Sequence, residues 1–150
     1  MKRAQRLTMV QKTVEDLERR RAEQLAVSER RVKECETRLT ELETYQDNYS
    51  REFAQRASHG IGAVGLRDYQ AFLAKLAEAV RQQTHVVFTT RAERDGEHRN
   101  WQNAAQRAEA VSRIVKRWQS EEQRTLECFE QRESDEHAQR LSAYAIHAGS

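Results

Sequence analysis

The sequence predicts an all-α protein, an antiparallel two-helix coiled-coil hairpin whose second helix extends beyond the first. Three observations predict it: the 150 residues include no proline, 33% of them are charged, and the apolar side chains recur at steps of three and four. Proline ordinarily supplies about 5% of residues and costs about 3 kcal/mol inside a helix, so its absence suits long uninterrupted helices. With 37% hydrophobic and only 7% aromatic residues, the chain can fill a narrow seam but not a thick globular core. A disordered chain of this polarity would be enriched in proline and serine and would lack an apolar period.

The first helix is expected over about residues 4–57. Its stripe runs Leu7, Val10, Val14, Leu17, Leu25, Val32, Leu39, Leu42, Tyr49 and Phe53, with Arg21, Ser28, Cys35 and Gln46 at the intervening seam positions. Between Val14 and Leu25 the steps are three, four and four, a stutter that locally unwinds a supercoil without breaking the helix. The second helix, about 66–146, keeps a stricter frame from Leu66 through Tyr69, Leu73, Leu76, Val80, Val87, Trp101, Ala104, Ala108, Val111, Val115 and Trp118 to Phe129. Thr90, Arg94 and Glu97 interrupt it with polar side chains around Asp95 and Gly96, the place where a bend or weak pairing would fall in an otherwise continuous helix.

Residues 58–65 hold three of the five glycines and form the turn. A connection this short makes the helices antiparallel neighbours, so one hairpin accounts for residues 1–150. Facing residues then have numbers summing to roughly 121 to 123, which sets Leu39 against Gln83, Leu42 against Val80 and Tyr49 against Leu73. The first helix is exhausted near residue 120, and about residues 121–150 overhang, roughly 45 Å of helix at 1.5 Å per residue.

The formal net charge is +2, too balanced for a dedicated nucleic-acid binder. Its distribution is uneven: residues 1–33 hold ten basic and five acidic side chains, and residues 120–150 hold three basic and seven acidic ones. Arg3, Arg6, Arg19, Arg20, Arg21, Arg30 and Arg31 could track phosphates, but Glu15, Asp16, Glu18 and Glu23 are interleaved and no aromatic platform lies among them. No apolar run approaches the roughly 18 to 20 residues of a membrane span, and the basic start leads into a charged helical pattern, so a cytosolic chain without membrane insertion is expected. Cys35 and Cys128 read as reduced thiols.

No pattern of residues points to catalysis, a cofactor or a metal. Gly60, Gly62 and Gly65 match the spacing of a dinucleotide fingerprint, but that motif needs a preceding strand and a βαβ unit, and no strand pattern exists here. The histidines, at 59, 85, 98, 137 and 147, include no pair four apart on a helix face. A two-helix hairpin also offers no water-excluding pocket in which to tune a pKa.

A second stripe near the turn is more informative. Arg38, Leu42, Tyr45 and Tyr49 on the first helix and Phe72, Leu76, Ala79 and Gln83 on the second repeat the same spacings. The pairs Arg38 with Gln83, Leu42 with Ala79, Tyr45 with Leu76 and Tyr49 with Phe72 all sum to 121, so the stripes merge on one face. Such a patch is either a protein interface or a widening of the seam near the hairpin tip.

Several segments, in order, carry a family resemblance: Tyr45-Gln46-Asp47-Asn48-Tyr49, the glycine turn, Leu66-Arg67-Asp68-Tyr69-Gln70-Ala71-Phe72-Leu73, Ala79-Val80-Arg81-Gln82-Gln83 and Glu130-Gln131-Arg132-Glu133-Ser134-Asp135-Glu136. Together with the length and the missing prolines, they make the chain similar to the bacterial flagellar export family FliJ and to the related YscO-type secretion stalks. The resemblance implies a component of the type III export apparatus, at the cytoplasmic face of the inner membrane. Such a component resembles the rotary γ stalk, inserts its helical ends into the hexameric export ATPase FliI, contacts the export gate FlhA and escorts export chaperones.

By resemblance, the gate-contacting surface falls on Arg38, Leu42, Tyr45, Tyr49, Phe72, Leu76, Ala79 and Gln83, with Arg38 and Gln83 departing from the family's side chains. The ATPase-binding ends fall on Leu7, Val10, Val14, Trp118, Phe129, Glu133, Asp135 and Glu136. The alternatives are a generic dimeric coiled-coil adaptor and the equivalent stalk of a virulence injectisome.

Overall fold

A computed structural model describes residues 3–149; Met1, Lys2 and Ser150, the last residue of the expected overhang, lie outside them. Two helices account for nearly everything described: α1, Arg3–Ser58, and α2, Ala63–Ala148. They pack against each other as a helical hairpin, with no strand among the described residues. The chain divides into two compact units, Leu17–Ala104 and a second made of Met1–Asp16 with Ala105–Ser150.

The turn is shorter than the glycine cluster alone implies, because α2 already begins at Ala63 and takes Gly65 into its first turn. Gly60 supplies the left-handed conformation, φ +86°, that ends α1. His59 and Gly60 donate their backbone N–H groups to the carbonyls of Arg56 (3.2 Å) and Ala57 (3.3 Å), and the Ser58 hydroxyl donates to the Gln55 carbonyl (2.7 Å). The carbonyls of Gln55, Arg56 and Ala57 are thereby satisfied without a longer loop. The Leu66 N–H reaches back to the Gly62 carbonyl at 2.9 Å, so α2 starts as soon as the chain has reversed. A β-carbon at Gly65 would lie 3.1 Å from Ile61 Cγ1, so the bare glycine lets the half-buried Ile61 side chain rest on the first turn of α2.

In the unit Leu17–Ala104 the seam is built from Val32, Tyr69, Leu76, Val87 and Ala104, all buried. Each fully buried Val or Leu contributes about 1.5–3 kcal/mol, which is how a one-residue-wide stripe can hold two charged helices together. Thr90 is as buried as Val87, at 3% exposure; its hydroxyl donates within its own helix, 2.9 Å from the Val86 carbonyl and 3.1 Å from that of Val87. The polar interruption is thus internally satisfied at Thr90. At Glu97 it is not, since Oε2 is enclosed without a hydrogen-bond partner. Helix α2 runs uninterrupted through Asp95 and Gly96. Three polar contacts bridge the helices: Gln83 Nε2 donates to the Cys35 carbonyl (2.9 Å), Arg91 Nε to Glu36 Oε1 (3.0 Å) and Trp101 Nε1 to Glu18 Oε1 (2.8 Å).

In the other unit Val14 and Val115 are buried, and the Arg3 guanidinium lies 3.5 Å from the centre of a Trp118 ring. Val10, expected in the seam, is 48% exposed, although its stripe neighbours Leu7 and Val14 are half-buried and buried. Beyond Trp118 every described residue from Gln119 to Gly149 is exposed, although α2 continues to Ala148.

Candidate functional site

The aromatic residues of the second stripe come together in the unit Leu17–Ala104. Tyr49 is the hub, with its ring centroid 4.5 Å from Phe72, 5.1 Å from Tyr69 and 6.3 Å from Tyr45. Tyr45 meets Phe72 edge-on at 6.1 Å, and Phe53 extends the cluster to Tyr69 at 5.2 Å. Offset and edge-to-face arrangements of this kind are the favoured ones for aromatic rings. The Arg56 guanidinium lies 5.6 Å from the Tyr69 ring centre and closes the cluster on the turn side.

The eight residues of the stripe divide by burial. Arg38 and Tyr45 are exposed; Leu42, Tyr49, Phe72, Ala79 and Gln83 are half-buried; Leu76 is buried. Leu76 therefore belongs to the seam, while Tyr45 stands on the outside with 51% of its surface in solvent. Of the four pairs that sum to 121, Tyr49 with Phe72 is in ring contact. Gln83 does not turn outward toward Arg38; its amide reaches one helical turn further to the Cys35 carbonyl.

The electrostatics follow from this packing. Burial raises the Tyr49 phenol above the ordinary tyrosine value, helped by Tyr69, Glu52 and Tyr45, with Arg56 acting weakly the other way. On the rim of α2 the Glu78 carboxylate is held below its ordinary value, first by the hydrogen bond from Arg81 and then by that residue's charge. Arg81 Nε donates to Glu78 Oε2 at 3.1 Å. Both groups are more than half exposed, so the pair orders the rim more than it stabilises the fold.

The second set of expected residues lies in the other unit. Leu7 and Trp118 are half-buried, Val14 is buried, and Val10, Phe129, Glu133, Asp135 and Glu136 are exposed. Arg3, Trp118, Glu121, Glu122, Thr125, Leu126 and Phe129 line an open hollow where α1 begins against α2. Sequence reading took Arg3 only as part of the basic N-terminal segment and missed its contact with Trp118, because the residue its guanidinium stacks on depends on where α1 starts. Sequence reading also passed over Leu126, Leu141, Tyr144 and Ile146, all more than half exposed. The available signal was apolar side chains recurring beyond Trp118, off the seam's frame at Leu126, Leu141 and Tyr144.

Among the described residues no group of three or more His, Cys, Asp or Glu side chains could hold a metal ion, and no helix is long and apolar enough to cross a membrane. Both cysteines are free. Compared with known proteins, residues 1–145 match the family model described as the flagellar FliJ protein, nearly the whole chain. No curated protein and no solved structure matches it.

Proposed function

The chain belongs to the FliJ family, and on that premise we propose that it works in the flagellar type III export apparatus as a γ-like stalk. In this reading it binds the hexameric export ATPase FliI with its helical ends, contacts the export gate FlhA through the patch around Tyr45, and escorts export chaperones. The observation that carries the reading is the bare stretch of α2 from Gln119 to Ala148. A helix of this length, exposed on every side and bearing Leu126, Phe129, Leu141, Tyr144 and Ile146, is built to be covered by another protein. The Tyr45 patch supports the gate contact in the same way, since an exposed aromatic ring backed by Tyr49 and Phe72 is a preordered anchor.

Pull-down of the purified chain with FliI and with the cytoplasmic domain of FlhA tests the proposal. Removal of residues 121–150 should abolish retention of FliI and leave that of FlhA nearly intact. Tyr45→Ala combined with Phe72→Ala should do the reverse. Equal loss of both partners in either variant would sink the division of labour.

A further inference from the structure

The bare end of α2 carries a stripe, apolar at both ends, whose spacing reads the same in both directions. Leu126, Phe129, Glu133, His137, Leu141 and Tyr144 follow at steps of three, four, four, four and three. At 100° per residue these six side chains fall within roughly a third of the helix circumference, so they form one face. All six are exposed, and Arg3 at the start of α1 borders the open hollow beside Leu126 and Phe129 without burying either. We propose that this face docks a second copy of the same chain, arm against arm and antiparallel.

The palindrome sets the register. With the two helices antiparallel about a two-fold axis level with Asp135, facing positions have numbers that sum to 270. Leu126 then meets Tyr144 of the second copy, Phe129 meets Leu141, and Glu133 meets His137, each contact occurring twice. The ends of the stripe are apolar and the centre is a carboxylate opposite an imidazole. Glu130 comes level with Arg140 of the second copy, a pair of opposite charge. Asp135, which would meet itself at the axis, lies on the opposite face of the helix. A parallel pairing would set Glu133 against Glu133 and His137 against His137, and lose every complementary contact.

The overlap from Leu126 to Tyr144 is roughly 27 Å of helix at 1.5 Å per residue. An interface this short belongs with the small reversible ones that bury less than about 1,200 Å². The seven acidic and three basic side chains of residues 120–150 also repel their copies, so the dimer is weak and strengthened by salt. The inference concerns the chain alone and does not rest on the partners proposed above.

Disulfide trapping tests it on the full-length purified chain, with Cys35 and Cys128 changed to serine. Leu126→Cys and Tyr144→Cys are placed in separate chains. On mild oxidation the mixture should give the mixed crosslink, position 126 of one chain to position 144 of the other, at least about tenfold more readily than either chain alone crosslinks to itself, because only the antiparallel register brings that pair within disulfide reach. In sedimentation, Glu133→Lys should weaken dimerisation about tenfold, and adding His137→Glu should restore it, as charge exchange across a facing pair requires. All four positions are exposed, and unchanged circular dichroism confirms that the helices persist. Self-crosslinking as fast as mixed crosslinking, absence of rescue, or a monomer at every concentration would each overturn the proposal. So would an arm that is captured only by a protein of other sequence.

Discussion

The indole Nε1 of Trp101 donates a hydrogen bond to Glu18 Oε1 across the two helices at 2.8 Å. A seam of small aliphatic side chains can slide by one turn with little change in area, and a directional bond between a large ring and a carboxylate resists that slip. Trp101→Phe should therefore cost about 1 kcal/mol and lower the melting temperature by roughly 2–4 °C, read by thermal circular dichroism. Glu18→Gln retains an acceptor oxygen and should cost less.

Two glycines predict opposite signs. Gly96 sits inside α2, where an added β-carbon would meet only Arg99 Nη2 at 3.8 Å, an ordinary contact. Gly96→Ala should stabilise by about 0.5–1 kcal/mol through helix propensity. Gly60 has φ +86°, so Gly60→Ala should destabilise by about 1–2 kcal/mol although nothing lies within 4 Å of the new methyl. Urea unfolding of the two variants measures both.

Tyr45 and Leu76 share a stripe in sequence but not an environment. Leu76→Ala empties a buried site and should cost about 2–5 kcal/mol in denaturant unfolding. Tyr45→Ala removes an exposed ring and should leave stability within about 1 kcal/mol while reducing retention of the export gate. Equal destabilisation by both variants would show that the stripe is seam throughout.

The raised Tyr49 phenol gives a pH dependence with a definite sign. The folded state favours the neutral phenol more than the unfolded chain does. The associated stability is fully present below the ordinary tyrosine value of 10.0 and is lost as pH rises through the higher folded value. Ultraviolet titration should show one phenolate forming late, and Tyr49→Phe should lack it. Acid acts oppositely at Glu78: its depressed value means that stability from the Arg81 pair is present above 4.5 and fades as pH falls through the folded value, a small effect at so exposed a site.

The hairpin itself was legible because steps of three and four can be satisfied only by helices that share a seam. Every residue assigned to the seam of the first helix is at least half-buried except Val10, and the seam of the second helix holds from Leu66 to Trp118. It fails at Phe129 for the reason that counting back from the turn gives: α1 has no residues left to face it. Contacts set by side-chain reach were less legible. Periodicity placed Gln83 opposite Leu39, yet its long amide selects the carbonyl of Cys35 one turn away. The same period put Leu76 in both the seam and the patch, and only its burial by α1 decides between them. The glycine cluster announced a turn without revealing that Gly60 alone takes the left-handed conformation.

The bare end of α2 must keep its helix without tertiary packing. It is longer than the roughly 12–15 residues below which isolated helices are marginal, and local pairs such as Gln123 with Glu127, Gln131 with Asp135 and Arg140 with Glu136 add to it at four-residue spacing. Its helix–coil balance therefore enters the affinity of anything that grips it. The entropy already surrendered by the free arm need not be surrendered on binding. Substitutions that raise helicity on its solvent side, touching no partner, would tighten association, and those that lower it would act as tuning screws for release.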